Sequence, residues 1–229
     1  ANDPEFSRQL ASLADAFVND AFSCSHRAHA SVVGVAEYLP SAAGRLMQEE
    51  VEALTRVLSA PEKPVCAIVG GSKISTKLDL LGNLSAKVDK LVVGGAMANT
   101  FLLAQGYEVG ASLVEAEMVK TAATILREAA AKGCEIILPV DVVAASRFAE
   151  NAPNVICDVA AIPAEAMILD IGPASLGRLM DVLAHCKTFV WNGPVGAYET
   201  VPFDASSVVI ARMVAGLTRA GKLHSVAGG

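Results

Sequence analysis

Two lysines four residues apart, Lys73 and Lys77, follow a glycine-rich turn and could bind the phosphates of one ligand. The apolar run Val65–Val69 leads into Gly70 and Gly71, an order that predicts a buried strand, a tight turn and then a helix. A turn without Cβ atoms lets a phosphate approach the backbone, and the free N–H groups of the next helix favour an anion. Because residues four apart share one helix face, both ammonium groups could reach the same phosphate chain. The alternative is an ordinary strand–turn–helix corner with solvated lysines.

This turn lacks both common nucleotide fingerprints. The spacing G-x-x-x-x-G-K-[ST] of a P-loop is missing, and so is the G-x-G-x-x-G turn of dinucleotide-binding domains. The next strand, at residues 91–93, ends in Gly94 and Gly95 without an acidic residue that could bind a ribose. A nicotinamide-dependent dehydrogenase domain therefore fits the sequence poorly.

Short apolar strands alternate with helical patterns after Pro64. Strands are predicted at residues 65–69, 91–93, 135–138, 155–156, 188–191 and 224–226, and helices at 76–88, 98–105, 115–132, 175–185 and 206–220. Continuously apolar strands of this length are typical of a parallel sheet that helices cover on both faces. We therefore predict an α/β fold with a parallel, Rossmann-like sheet.

Ligands of such sheets bind beyond the carboxyl ends of the strands. Four of the five segments that follow predicted strands contain glycine, which favours a nucleotide or phosphate crevice; the five lie at residues 70–73, 94–96, 139–141, 192–196 and 228–229. Ahead of this sheet, Asp3 and Pro4 predict the start of a helix that continues to about Ala16. A second helical pattern begins at Ala42, and Pro61 and Pro64 mark the best candidate for a domain boundary.

Composition narrows the class of protein further. The 229 residues suffice for one or two domains, and no apolar run reaches the roughly 18 to 20 residues that cross a bilayer. The N-terminus does not look like a signal peptide, and the net charge of −6 argues against general binding of nucleic acid. The five cysteines are odd in number and scattered, so a reducing cytosol fits better than a disulfide framework.

Six motifs resemble those of the phosphoglycerate kinase family, in the family's order and spacing. They are VNDAF with HRAHAS (18–22 and 26–31), GGSKISTK (70–77), GGAMANTF (94–101), LPVD (138–141), LDIGP (169–173) and WNGPVG (191–196). The similarity covers essentially the whole chain, although family members are considerably longer. It implies that residues 1–41 are the end of the acceptor domain for 3-phosphoglycerate, 42–60 an interdomain helix and 61–229 a nucleotide-binding domain that is truncated at its C-terminus.

The resemblance implies a cytoplasmic, monomeric enzyme of glycolysis, without nucleic-acid or membrane partners. Its reaction would be the reversible transfer of a phosphoryl group from 1,3-bisphosphoglycerate to ADP with Mg²⁺, giving 3-phosphoglycerate and ATP. Most of the family's basic patch for 3-phosphoglycerate and the aspartate that helps to hold the metal–nucleotide have no counterpart here. We therefore expect the chain alone to lack useful kinase activity, and a nucleotide-binding module without catalysis is the alternative.

The family motifs also imply roles for individual residues. Lys73 would follow the transferring phosphoryl group, and Arg27 would act in catalysis and bind the substrate from the acceptor domain. The positions implied to bind the nucleotide are Gly70, Gly71, Ser72, Lys77, Gly94, Gly95, Leu113, Leu169, Asn192, Pro194, Gly196, Ala197 and Glu199. No residue is implied as a metal ligand.

Some of these positions keep a structural alternative. Leu113 and Leu169 would surround the base but could instead pack in the core, and Glu199 would bind the ribose but could be a surface acid. His26 and His29 could form a weak metal pair, although packed or solvated loop histidines fit better.

Overall fold

A computed structural model describes residues 2–59 and 61–228 of the chain. Its contacts divide the chain into two compact units, Ala1–Ala60 and Pro61–Gly229. The terminal residues Ala1 and Gly229, and Ala60 at the predicted domain boundary, lie outside the described residues.

The first unit combines two α-helices, a 3-10 turn (Phe22–Cys24) and a π-helical segment (Ala30–Gly34) with a short parallel strand pair. Helix α1 (Pro4–Ala11) begins as predicted, because the Asp3 carboxylate accepts the N–H of Phe6 at 2.7 Å. Strand β1 (Phe17–Asn19) pairs with β2 (Ser41–Ala43), and α2 (Arg45–Ser59) follows.

Two predicted helix bounds in this unit are wrong. The first helix ends at Ala11 rather than near Ala16, because Phe17 is drawn into the extended pairing with Ser41. Leu13, just beyond its end, is 80% exposed. The second helix begins at Arg45 rather than Ala42 for the same reason, since its predicted first turn forms β2.

The second unit contains a five-stranded parallel sheet. Its order is β10–β9–β3–β4–β5, and the strands are β3 (Val65–Val69), β4 (Lys90–Val93), β5 (Glu135–Ile137), β9 (Thr188–Asn192) and β10 (His224–Gly228). The helices are α3 (Leu78–Ser85), α4 (Ala96–Ala104), α5 (Val119–Ala131), α6 (Pro173–His185) and α7 (Ala205–Arg219). The predicted α/β fold with a parallel sheet is confirmed.

Strand β3 shows why its sequence is continuously apolar. Ala67 and Val69 belong to a core that includes residues of α3, α4 and α5, whereas Cys66 and Ile68 belong to a second core with residues of α6 and α7. Successive side chains of a strand point to opposite faces, so helices on both faces require apolar residues at every position.

A separate three-stranded antiparallel sheet is formed by the chain segment between β5 and β9. It consists of β6 (Asp141–Ala145), β7 (Asn154–Asp158) and β8 (Met167–Ile171), in the order β7–β6–β8. The prediction of a parallel strand at residues 155–156 is therefore wrong. The connection from β6 to β7 is too short to contain the crossover helix that parallel strands need. Short connections join antiparallel strands instead.

Two further predictions concern composition. All five cysteines are free thiols, and Cys66, Cys134 and Cys186 are buried as small apolar residues. Among the described residues, no helix is long and apolar enough to span a bilayer.

Candidate functional site

A crevice of about 540 Å³ lies at the carboxyl ends of the parallel strands in the second unit. Nine of the residues predicted to bind a nucleotide line it: Gly71, Ser72, Gly95, Leu113, Leu169, Pro194, Gly196, Ala197 and Glu199. Six of them come from four separate motifs, and Leu113, Ala197 and Glu199 lie outside the motifs; the fold brings all nine to one crevice. A mostly apolar crevice of this size with a few polar groups is typical of a small-molecule site.

Gly70 and Gly94 lie behind the crevice wall instead of lining it. A Cβ atom on Gly70 would stand 1.8 Å from the backbone oxygen of Pro194, and one on Gly94 would stand 2.8 Å from Cα of Val195. The N–H of Gly70 donates to Asn192 O at 2.8 Å. These glycines therefore allow two loops of the protein to pack backbone against backbone, a different use from the ligand approach that the sequence suggested.

The start of helix α4 opens toward this crevice without a side-chain cap. Gly95 precedes the helix with φ of +66°, a conformation that suits glycine, and both Gly95 and Ala96 line the crevice. The N–H of Met97 donates to Gly71 O at 2.9 Å, which holds the helix start against the glycine turn. The partial positive charge of an uncapped helix start favours an anion.

Carboxylates occupy the starts of two other helices. Asp141 accepts the N–H groups of Ala174 and Ser175 of α6 at 2.9 and 2.7 Å, and Asp170 accepts the N–H of Ser206 of α7 at 3.0 Å. These carboxylates satisfy free N–H groups there and offset the helix dipole. Of these three helices, α4 alone begins without a carboxylate; since the N–H groups of Gly95 and Met97 already bond to backbone oxygens, the helix dipole is the main attraction it offers to a phosphate group.

Lys77 and Asn192, which come from different motifs, meet beneath the glycine turns. The Lys77 ammonium group donates to Gly70 O at 2.5 Å and to Asn192 Oδ1 at 2.6 Å. Burial lowers the pKa of Lys77 from its ordinary value. In the described structure this lysine ties the loop after β3 to the loop after β9.

The two lysines do not share a helix face, so that prediction is wrong. Helix α3 begins only at Leu78, and residues 73–77 form an irregular turn. Within this turn, Ile74 is fully buried in the core, and a side chain from elsewhere in the fold binds the N–H of Ser75. The side chain of Lys73 is exposed, directly after Ser72 on the crevice wall.

Exposed apolar side chains are among the residues that line the crevice. Leu113 is 57% exposed, which argues against the core alternative, and Leu169 is partly buried. Phe148 is 60% exposed at the same crevice, and sequence analysis missed it. A usable signal was an aromatic residue in the polar loop after β6, in a chain with few aromatics. Glu199 is exposed, so its surface alternative stays open.

Asp170 is a buried carboxyl group on the crevice wall, and sequence analysis also missed its role. It lies on β8, and a Cβ atom on Gly196 would stand 2.3 Å from its Oδ1. Burial raises the pKa of Asp170 to about 6, although hydrogen bonds from Ser206 and Ile171 oppose this rise. The carboxyl group thus changes charge near neutral pH.

We expect this carboxyl group to make the free energy of unfolding fall as the pH rises from about 4 to about 6. In that range the folded state keeps a proton on Asp170, whereas the unfolded state, with a pKa near 3.8, loses it. The shift from 3.8 to about 6 corresponds to on the order of 3 kcal/mol. Urea unfolding of wild type and of Asp170→Asn across this range measures the effect, because the amide cannot titrate.

Asp181→Asn is the matched control for that experiment, since Asp181 is exposed on α6. It should follow the wild-type profile. Parallel profiles of wild type and Asp170→Asn would contradict the assignment.

Arg27 lies in the first unit, in an exposed turn. Its N–H donates to Cys24 O at 3.0 Å, and its own carbonyl accepts the N–H of His29 at 2.9 Å. His26 is exposed and His29 is partly buried. Within the described residues, no three His, Cys, Asp or Glu side chains converge on a point where they could hold a metal ion.

Fold and crevice together define an α/β protein whose candidate ligand site lies at the carboxyl edge of a parallel sheet. A family model described as phosphoglycerate kinase matches residues 1–229. The chain therefore belongs to the phosphoglycerate kinase family, which confirms the resemblance seen in the motifs.

Individual relatives agree with this assignment. The phosphoglycerate kinase of Granulibacter bethesdensis is 60% identical over 228 residues, which are 100% of this chain and 58% of the relative. One from Cereibacter sphaeroides is 58% identical, with 57% of its length covered. Among solved structures, phosphoglycerate kinase from Coxiella burnetii matches with a TM-score of 0.88 at 43% identity, covering 100% of this chain and 59% of that chain. The chain thus spans a little more than half the length of these relatives.

Proposed function

We propose that this chain forms the nucleotide-binding part of a phosphoglycerate kinase. Joined to the remainder of such an enzyme, it would transfer a phosphoryl group reversibly from 1,3-bisphosphoglycerate to ADP. The observation that carries this proposal is the crevice, where nine residues implied to bind nucleotide, six of them from four motifs, line one cavity beside the start of α4. The chain alone is expected to bind the nucleotide without useful turnover.

The crevice suggests how a nucleotide would lie. The exposed apolar side chains of Leu113 and Phe148 offer faces for the base, and Glu199 could accept hydrogen bonds from the ribose hydroxyls. The phosphates would then extend toward Gly95 and the start of α4, where the helix dipole favours anions.

Lys73 is our candidate for stabilising the transferring group. Phosphoryl transfer needs reactants in line and positive charge near the equatorial oxygens, and little covalent help from the protein. The Lys73 side chain is exposed beside Ser72, so its ammonium group is free to meet a phosphoryl group. Lys77 would hold the glycine turns in place or move to a phosphate group nearer the ribose.

The domain roles are part of the same proposal. Residues 1–41 would contribute the end of the acceptor domain, 42–60 the interdomain helix and 61–229 the nucleotide-binding domain. Arg27 would supply a guanidinium group to the substrate, because its planar fork suits carboxylate and phosphoryl oxygens. The free thiols support a reducing, cytoplasmic location, and we propose a monomer that needs no nucleic acid or membrane.

Mg²⁺ fits this site only as a companion of the nucleotide. The described residues offer no cluster of three His, Cys, Asp or Glu side chains, so the phosphate oxygens and water would supply most of its ligands. Bound in this way, the ion would neutralise part of the phosphate charge.

Calorimetric titration of the chain tests the proposal. We expect heat of binding with Mg-ADP and none with 3-phosphoglycerate, because the crevice is present while most of the family's acceptor patch has no counterpart. NAD⁺ is the control ligand and should not bind, since the sequence lacks the dinucleotide turn and the ribose-binding acid. A chain that is folded by far-UV circular dichroism but does not bind Mg-ADP would refute the proposal.

A nucleotide-binding module without catalysis is the second candidate, and turnover separates the two. The assay uses a fusion in which residues 1–229 replace the matching segment of the Granulibacter bethesdensis relative. Kinase activity of this fusion supports the first candidate, and Mg-ADP binding without turnover supports the second.

A further inference from the structure

Glu115 binds the loop that carries Lys73 from a distant part of the sequence. Its carboxylate accepts the backbone N–H of Ser75 at 3.1 Å and also accepts a hydrogen bond from the Ser75 hydroxyl group. The two residues are 40 positions apart in the sequence. Glu115 therefore binds the loop that carries Lys73, although neither the crevice lining nor the family motifs include it.

The position of Glu115 itself is well fixed. Its backbone N–H donates to Thr100 Oγ1 of α4 at 3.1 Å, and only 9% of the residue is exposed. Glu115 stands directly before the short helical turn 116–118, yet its side chain does not cap that turn. The Glu115 carboxylate thus leaves the adjacent turn uncapped and binds Ser75 instead, which points to a role in the loop that contains Ser75.

The charge of Glu115 suits this contact. Burial raises the pKa of Glu115, but hydrogen bonds from Ser75 and the backbone of Ile74 outweigh burial, so the pKa lies below its ordinary value. The positive charge of Lys73 acts in the same direction. The carboxylate is thus ionised at neutral pH, and hydrogen bonds to an ionised acceptor are stronger than those between neutral groups.

The loop has few other anchors near Lys73. The fully buried Ile74 fixes the next residue, and the hydroxyl group of Thr76 donates to Lys73 O at 2.9 Å within the loop. Ser75 is exposed, and between the buried Ile74 and the anchored Lys77 its backbone N–H is held by Glu115. The direction in which the Lys73 side chain leaves the loop depends on these neighbouring residues.

We propose that Glu115 is a positioning residue that fixes the loop behind Lys73 and so aims its ammonium group at the transferring phosphoryl group. This inference rests on the proposed function. It predicts that Glu115 raises kcat through its effect on Lys73 and contributes little to the affinity for the nucleotide.

The first test is a double-mutant cycle in the fusion. Glu115→Met keeps the length of the side chain and removes its acceptors, and we expect kcat to fall about tenfold while KM for ADP changes less than about twofold. Glu115→Gln, which can still accept a hydrogen bond from Ser75, should recover most of kcat. In the Lys73→Ala background, Glu115→Met should cause no further fall, because the residue acts through Lys73.

Two further variants make this test specific. Ser75→Ala removes the hydroxyl contact at an exposed position, and we expect a smaller fall in kcat of about threefold in a folded protein. Glu117→Met changes an exposed neighbouring acid and should leave kcat unchanged. Equal losses from Glu115→Met with and without Lys73, or a change in KM alone, would overturn the inference.

A second readout does not depend on activity. Amide hydrogen exchange of the 229-residue chain should show the Ser75 N–H protected in wild type and exchanging at least about tenfold faster in Glu115→Met. Unchanged exchange would overturn the anchor even in an active fusion. Lost protection in a chain that fails to bind Mg-ADP would support the anchor and refute the proposed function, together with the catalytic role of Glu115.

Discussion

Lys73→Ala is expected to lower turnover of the fusion by about 100-fold or more, which corresponds to about 3 kcal/mol of transition-state stabilisation. The transferring phosphoryl group spreads its charge over equatorial oxygens, and a fixed ammonium group stabilises that charge more than it stabilises the bound substrates. We therefore expect the loss in kcat, with KM for ADP nearly unchanged. A coupled assay of ATP formation at saturating 1,3-bisphosphoglycerate measures both constants.

The matched control for this prediction is Lys87→Ala, which removes an equally charged and exposed lysine that follows α3. It should retain wild-type kinetics. If Lys73→Ala also retained wild-type turnover, the role assigned to Lys73 would be wrong, and the positioning role of Glu115 would lose its target.

Gly70→Ala is expected to destabilise the second unit by roughly 3 kcal/mol or more. The added Cβ would stand 1.8 Å from Pro194 O, and the obstacle is backbone that cannot rotate away. The loop after β9 would have to move, and with it the hydrogen bond from the Gly70 N–H to Asn192 O. Urea unfolding measures the loss of stability, and calorimetry should show weaker binding of Mg-ADP.

Gly82→Ala provides a control of opposite sign. Gly82 lies within α3, and its added Cβ would meet no atom within 4 Å. Alanine favours the helix over glycine by about 0.5 to 1 kcal/mol, so this variant should be slightly more stable than wild type. Equal stability of both variants would show that the packing between the two loops contributes little.

The parallel sheet could be predicted from the sequence because β3 is buried on both faces. Such a strand has an apolar residue at every position, and this pattern is visible in the sequence. The antiparallel sheet was harder to predict. Val155 and Ile156 resemble a buried strand, yet both are exposed on β7, and only the short connection to β6 indicates their direction. Pattern alone does not separate an apolar edge strand from a central one.

The site residues that belong to family motifs could be predicted from the sequence. The local structure that depends on tertiary contacts could not. Nine of the implied nucleotide-binding residues line the crevice, although their roles stay predictions until ligands are titrated. The helix expected to carry Lys73 and Lys77 begins only at Leu78, and the N–H of Ser75 in the turn before it donates to Glu115. A contact across 40 residues leaves no periodic signal near either partner.

The strand order has a consequence for how the protein is made. Strand β9 lies between β3 and β10, although β4 to β8 separate it from β3 in the sequence. The glycine turn after β3 therefore leaves the ribosome long before the loop that packs against it. A ligand stabilises a protein only once its binding site exists. Under the proposed function, nucleotide would therefore protect the finished domain from proteolysis, but it would not rescue a nascent chain that ends before β9.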